Sequence, residues 1–370
     1  MRLPVFVLAL ALAIANGCTS GCDCDSSPVV RGDDSRVIPL GRVDQRDGKA
    51  RFSWPATGVE LAFTGRDLWV QLRGTPNADF MPEMDRVAIY VDREPARVLT
   101  IDGGTHENRL AEGLADAPHT VRIVKLTEPA VGTVTIEHFR LCDGGQVLRS
   151  RPRLARAVEA VGDSITAGFG VLGGDPQCPF SASTENAELT YTAIAARELH
   201  AEYSAVAWSG KGVAINADPS EPLTLPEIYD RVLPSEAHRW DHRSHPVDAV
   251  IVNLGTNDTL SRTPPSDAVF EAAYGRFIAH LRQTHPRSLI VLVIGPMLYD
   301  EGEVLFRSRA RTAIQSVAAT ARAQGDQHIE VLELWSTAEE GYGCQFHPSA
   351  TTHRRLATEL TTLLRQRLGW

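Results

Sequence analysis

"AVEAVGDSITAGFG", from Ala157 to Gly170, sets an apolar run against Gly162, Asp163 and Ser164, followed by small residues. A run of this length without polar alternation suits a parallel strand covered on both faces. A serine just past its carboxyl end stands where open α/β sheets bind their ligands. Four more such runs follow, "EYSAVAW", "DAVIVNLG", "SLIVLVIGP" and "IEVLELW". Helical spacing fills the gaps. Tyr191, Ile194, Ala195 and Leu199 share one face of a helix expected over 187–199, and His353, Leu356, Ala357, Leu360, Leu364 and Leu368 share a face of the last helix. The alternation predicts a doubly wound, flavodoxin-like α/β domain of three layers with a parallel sheet over 156–370.

The preceding part has a different period. In "GVELAFTG" Val59, Leu61 and Phe63 alternate with Glu60, Ala62 and Thr64, and "DLWVQLRG", "RVAIYVD", "HTVRIVKL" and "GTVTIEHF" repeat the pattern between Gly, Pro, Asn and Asp turns. This predicts an all-β sandwich of jelly-roll type over 37–142. The Gly-, Pro- and Arg-rich "CDGGQVLRSRPRLAR" reads as a linker, assigned to 143–155.

Residues 1–18, "MRLPVFVLALALAIANGC", carry one arginine and an apolar stretch too short to span a bilayer, the pattern of an export signal. A small residue directly before Cys18 resembles the bacterial lipobox, with Cys22 the weaker match; lipidation at Cys18 and plain cleavage both stay open, and 19–36 is expected to be flexible. The expected location is therefore secreted, or lipid-anchored at a bacterial surface or periplasm. A net charge of -9 with no dense basic block argues against nucleic acid as a partner, and against membrane contact other than through such an anchor.

Cys142, Cys178 and Cys344 are scattered through the body of the chain, which fits neither a zinc site nor a disulfide framework. The histidines of "HRWDHRSH", His238 to His245, read as a polar loop before the third strand rather than as metal ligands. No metal or cofactor is expected. Cys178 and Cys344 both flank loops at the carboxyl edge of the sheet, where a disulfide and two buried thiols are equally compatible with the sequence.

Four sequence-distant residues fall at that same edge: Ser164, Gly210 in "WSGKG", Asn257 in "LGTND" and His347 in "GCQFHPS". A serine hydroxyl becomes a nucleophile when a base takes its proton, and histidine is the usual base. The oxyanion of acyl transfer needs donors already aimed at it, each worth about 2.7–4 kcal/mol. The N–H groups of Ser164 and Gly210 and the Asn257 amide can supply them. Taken singly, Ser164 could instead cap the following helix and Asn257 could be an ordinary turn residue. Asp163 reads as support for the turn. His285 enters the fourth strand at the opposite edge, and His353 lies on an apolar helix face, so neither competes with His347. Trp208 and Phe346 adjoin the site and could stack on a sugar ring, with core packing the alternative for each.

This set of blocks resembles the SGNH hydrolases, also called GDSL esterases. "GDSITAG" matches the first block at Ser164, "SGKG" the second at Gly210, "GTND" the third at Asn257 and "HPS" the fourth at His347. The serine lies outside any G-x-S-x-G elbow, which removes the main signal of the α/β-hydrolase alternative. With "RFSWPATGVELAFTG", "CPFSASTENAELTYTAIAARELHAE" and "AWSGKGV", the resemblance narrows to carbohydrate esterase family 2, from about Arg42 to the C-terminus. That family joins a jelly roll to an SGNH domain. The resemblance implies metal-free removal of acetyl groups from polysaccharides such as acetylated xylan or glucomannan, often at the sugar 6-position.

One position departs from the pattern. Where such enzymes carry an aspartate two or three residues before the histidine, this chain has Gln345 and Cys344. The expectation is a Ser-His pair with Gln345 orienting His347 through a main-chain or side-chain carbonyl. The alternatives are an esterase or lipase acting on other acyl esters, and a glycan-binding surface lipoprotein that has lost turnover.

Overall fold

The structure, a computed structural model, describes residues 28–77, 83–142, 144–149 and 151–370. The expected export signal and Cys18 lie outside these residues.

The N-terminal part folds as two antiparallel sheets. Its strands are β1 (Val29–Arg31), β2 (Ile38–Leu40), β3 (Asp44–Arg46), β4 (Lys49–Phe52), β5 (Gly58–Thr64), β6 (Leu68–Pro76), β7 (Asp85–Val91), β8 (Arg97–Ile101), β9 (Thr105–Ala111), β10 (Pro118–Lys125) and β11 (Gly132–Leu141). One sheet runs β3-β4-β11-β6-β9 with β1 added on β11, and the other runs β2-β5-β10-β7-β8. The alternating apolar residues meet between them, Leu61 and Phe63 of one sheet with Leu72 and Ile136 of the other. The sandwich begins eight residues earlier than the expected Val37, because Val29–Arg31 pairs with His138–Arg140. Three residues are too few to display a period of two. The linker also joins the sandwich, with Val147 bridging to Phe63.

The second domain has strands β12 (Ala157–Gly162), β13 (Glu202–Ala207), β14 (Ala249–Asn253), β15 (Leu289–Ile294) and β18 (Ile329–Glu333), parallel in the order β13-β12-β14-β15-β18; β16 (Asp300–Glu301) and β17 (Val304–Leu305) form a small hairpin. Its helices are α1 (Ser164–Ala167), α2 (Tyr191–Glu198), α3 (Leu225–Ile228), α4 (Thr256–Leu260), α5 (Asp267–Thr284), α6 (Phe306–Ala323) and α7 (Ala350–Leu368). Ile290, Leu292 and Ile294 pack with residues of α5 and α6, while Leu289, Val291 and Val293 pack with those of α2 and α7. Both faces of β15 are thus covered, which is why its sequence shows no alternation. The helix expected from 187 starts later. Thr190, in extended conformation, accepts the Ala193 N–H and caps α2, and Ala187–Leu189 forms a separate 3-10 turn.

The domains share buried polar and apolar contacts. Trp54 of the sandwich is fully buried in the cluster of Val252, Phe270 and Leu292. Arg42 pairs with Glu159 of β12 at 3.0 Å and donates to the Tyr229 carbonyl. The Tyr229 hydroxyl donates to Glu159 at 2.6 Å and lies 2.7 Å from His285 Nε2. Glu159, His242 and His285 are close enough to hold an ion. Arg42 and Tyr229 already occupy that carboxylate, and the arginine's charge opposes a cation there. This cluster is an interdomain clamp.

Candidate active site

The turn after β12 begins the site. Asp163 caps α1, its Oδ1 accepting the Ile165 N–H at 3.0 Å. The cap is therefore Asp163 and not Ser164, whose hydroxyl is left to the site. As the first residue of α1, Ser164 keeps an N–H with no acceptor inside the helix. Burial lifts the Asp163 carboxyl to a pKa of about 7, with Asp258 adding like charge and the Ile165 N–H opposing.

His347 Nε2 lies 2.8 Å from Ser164 Oγ. Its Nδ1 lies 3.1 Å from the Cys344 carbonyl and 3.2 Å from the Gln345 carbonyl. Both are pure acceptors, so Nδ1 carries the proton and Nε2 presents its lone pair to the serine. Gln345 and Phe346 sit at φ 51° and 59°, and these two left-handed residues curl the chain so that the two carbonyls face the ring. The oxygen near His347 is the main-chain one, while the Gln345 residue itself is exposed. Burial draws the His347 pKa down to about 4, the two carbonyls only partly opposing it. The imidazole is neutral at physiological pH.

The loops around these residues interlock. Cys344 is disulfide-bonded to Cys178, its N–H donates to the Gly170 carbonyl at 3.1 Å, and the Phe169 ring lies 4.3 Å from the His347 ring. Gly170 adopts φ 62°, and a Cβ there would meet the Cys344 Cβ at 2.8 Å. That close approach requires glycine.

Gly210 and Asn257 arrive from the neighbouring strands. Gly210, at φ 80°, is the third residue of a turn closed by the Lys211 N–H donating to the Trp208 carbonyl at 3.2 Å, a type II arrangement. The Asn257 amide donates to the Lys211 carbonyl at 2.9 Å and lies 3.5 Å from Asp163 Oδ2, tying the second block to the first. Asp258 was not singled out from the sequence. Its buried carboxylate accepts the N–H groups of Val213, Ala214 and Ile215 and so shapes the loop after Gly210. An acid directly after Asn257, past the end of an apolar strand, was the available signal.

Trp208 is half-buried and packs against the core, with Lys211 Nζ 5.1 Å from its ring centre, whereas Phe346 is 51 % exposed beside Tyr342. His353 Nδ1 accepts the Tyr191 N–H at 3.0 Å, a packing role.

Residues 160–355 match the GDSL-like lipase/acylhydrolase family. The chain belongs to that family. Residues 39–150 match the carbohydrate esterase 2 N-terminal domain, and the pairing is that of a carbohydrate esterase. The chain is 30 % identical over 340 residues to the cellulase/esterase CelE of Acetivibrio thermocellus, covering 91 % of this chain but 40 % of that protein. It is 25 % identical over 351 residues to an acetylxylan esterase / glucomannan deacetylase of Cellvibrio japonicus, covering 93 % and 92 % of the two chains. Among solved structures, a family two carbohydrate esterase from Clostridium thermocellum in complex with cellohexaose superposes with a TM-score of 0.83 at 29 % identity, over 90 % of this chain and 99 % of that one.

Proposed function

We propose that the protein is a serine O-acetylesterase that removes acetyl groups from polysaccharide outside the cytoplasm, with acetylated xylan or glucomannan as the substrate class. The observation that carries this reading is the 2.8 Å approach of His347 Nε2 to Ser164 Oγ, with Nδ1 held on two main-chain carbonyls. Ser164 Oγ attacks the acetyl carbonyl carbon as its proton passes to His347 Nε2. The oxyanion accepts the N–H groups of Ser164 and Gly210 and the Asn257 amide N–H that Lys211 leaves over, which gives up its long 3.5 Å contact with Asp163 Oδ2. Collapse expels the sugar hydroxyl, which takes the proton back from His347. Water, activated by the same imidazole, then releases acetate from the acetyl-serine.

The Cys344 and Gln345 carbonyls take the orienting part of the role an aspartate holds in a triad. This favours turnover over a purely glycan-binding protein. Exposed Phe346 is the better placed of the two aromatic candidates to meet a sugar ring, since Trp208 is committed to packing. An export signal, with or without a lipid on Cys18, and a disulfide at Cys178 and Cys344 fit an oxidising compartment.

Rapidly quenched enzyme turning over 4-nitrophenyl acetate tests the mechanism by peptide mass spectrometry. The acetyl group is expected on the peptide containing Ser164; a labelled peptide elsewhere, with Ser164 unmodified, contradicts the assignment.

A further inference from the structure

Glu128 lies in the sandwich, in the connection between β10 and β11, and is 1 % exposed. Its carboxylate crosses the domain boundary: Oε2 accepts the Ser209 N–H at 2.5 Å and Oε1 accepts the Ser209 hydroxyl. Ser209 precedes Gly210 and is the second residue of the turn that presents the Gly210 N–H. In a type II turn the direction of that N–H depends on the orientation of the peptide joining the two central residues, and rotating this peptide converts type II to type I. A carboxylate that holds both the N–H and the hydroxyl of Ser209 fixes the preceding peptide and the residue from which the central peptide starts.

Glu128 is itself held from behind. Fully buried Lys125 donates to the Thr127 carbonyl, the Thr127 hydroxyl and the Glu128 carbonyl at 2.9–3.0 Å, and pairs with Asp85 at 2.6 Å. The Ala187 N–H donates to the Leu126 carbonyl at 2.9 Å, joining this connection to the other domain a second time. Glu185 is buried beside Glu128. Burial raises both carboxyls: Glu185 is pushed well above the usual carboxylate range, the Glu128 charge adding to the effect, and Glu128 is raised with the Ser209 hydroxyl and N–H opposing.

We propose that Glu128 is a positioning residue for acyl transfer: the sandwich domain, through Glu128 and Ser209, holds the Gly210 N–H in line with the oxyanion. This rests on the reading of Gly210 as an oxyanion donor. It gives the sandwich a part in the chemistry of the site, distinct from any binding of glycan.

The test compares Glu128→Ala, Glu128→Gln and Ser209→Ala in the full chain, reading kcat and KM on 4-nitrophenyl acetate, inhibition by methylboronic acid as a tetrahedral-adduct mimic, and near-UV circular dichroism. Misplacing one donor predicts a fall of about 10- to 100-fold in kcat and in methylboronic acid affinity for Glu128→Ala, with KM within about twofold of the parent. Glu128→Gln, whose side-chain oxygen still accepts from Ser209, is expected to recover most of the loss. Unchanged kcat, or a loss that falls on KM while boronate affinity holds, overturns the proposal. If Glu128→Ala fails to fold, Ser209→Ala decides: a fall of about 3- to 10-fold in both kcat and boronate affinity supports it, and no change in either overturns it. Ser164→Ala run alongside separates the two layers, since activity surviving there overturns the reading of the site and not the role of Glu128 alone.

Discussion

The Cys344 carbonyl lies 3.1 Å from His347 Nδ1, and the same cysteine is bonded to Cys178 on the loop that follows Ser164. One residue thus orients the imidazole and ties its loop to that of Ser164. The bridge spans 166 residues of sequence, for which loop-closure entropy amounts to about 5 kcal/mol. Cys178→Ser is expected to lower the melting temperature and to cut kcat on 4-nitrophenyl acetate severalfold. Adding reductant should cut kcat in the parent and not further in the variant, whereas the melting temperature of both also registers the disulfide at Cys142.

Because the Gln345 oxygen near His347 belongs to the main chain, the side chain is dispensable. Gln345→Ala should keep kcat within about threefold of the parent and stability nearly unchanged, because glutamine already bears the cost that any Cβ meets at φ 51°. Gln345→Pro cannot adopt that angle and should lose activity by at least about a hundredfold. A large loss in Gln345→Ala, measured on folded protein, would place the orienting oxygen on the side chain.

The pH profile follows from the burial of His347. In the proposed role of general base His347 works when neutral, and its pKa is drawn down to about 4. The acid limb of kcat/KM should therefore be centred near pH 4 and not near the ordinary histidine value of about 6.5. Stability carries the same sign: a depressed histidine contributes fully above about pH 6.5, and the contribution is lost as pH falls through about 4. Asp163→Asn, which removes a second titration near pH 7, should leave the acid limb in place.

The interdomain clamp predicts an asymmetry. Burial would raise the Glu159 pKa, yet Arg42, with His285 and Tyr229, holds it at about 2. Arg42→Ala strands a buried carboxylate and should destabilise by about 3–5 kcal/mol in urea unfolding. Arg42→Met with Glu159→Gln should recover much of that, because neither change leaves an uncompensated charge.

The parallel strands and the four site blocks were readable because their signals are local: continuous apolar runs, and polar or small residues just past them. β1 was missed because Val29–Arg31 is too short to show a period, and the start of α2 moved to Tyr191 because Thr190 competes as a cap. Ser164, Gly210, Asn257 and His347 could be named from residue type. The oxygens that orient His347 could not, since every residue has a carbonyl and only the left-handed pair Gln345 and Phe346 aims these two. Glu128 was hidden for another reason. Its partner Ser209 lies 81 residues away in a different domain, and no period or motif connects them.

The central claim is that Ser164 and His347 turn over acetyl esters of polysaccharide without a partnering carboxylate. Acetate released from acetylated xylan and acetylated glucomannan, by the parent, Ser164→Ala and His347→Ala, tests it most directly. Release by the parent that each substitution reduces by at least about a thousandfold is the predicted result. Binding of both glycans with no acetate release by the parent, from either glycan or from 4-nitrophenyl acetate, would contradict it.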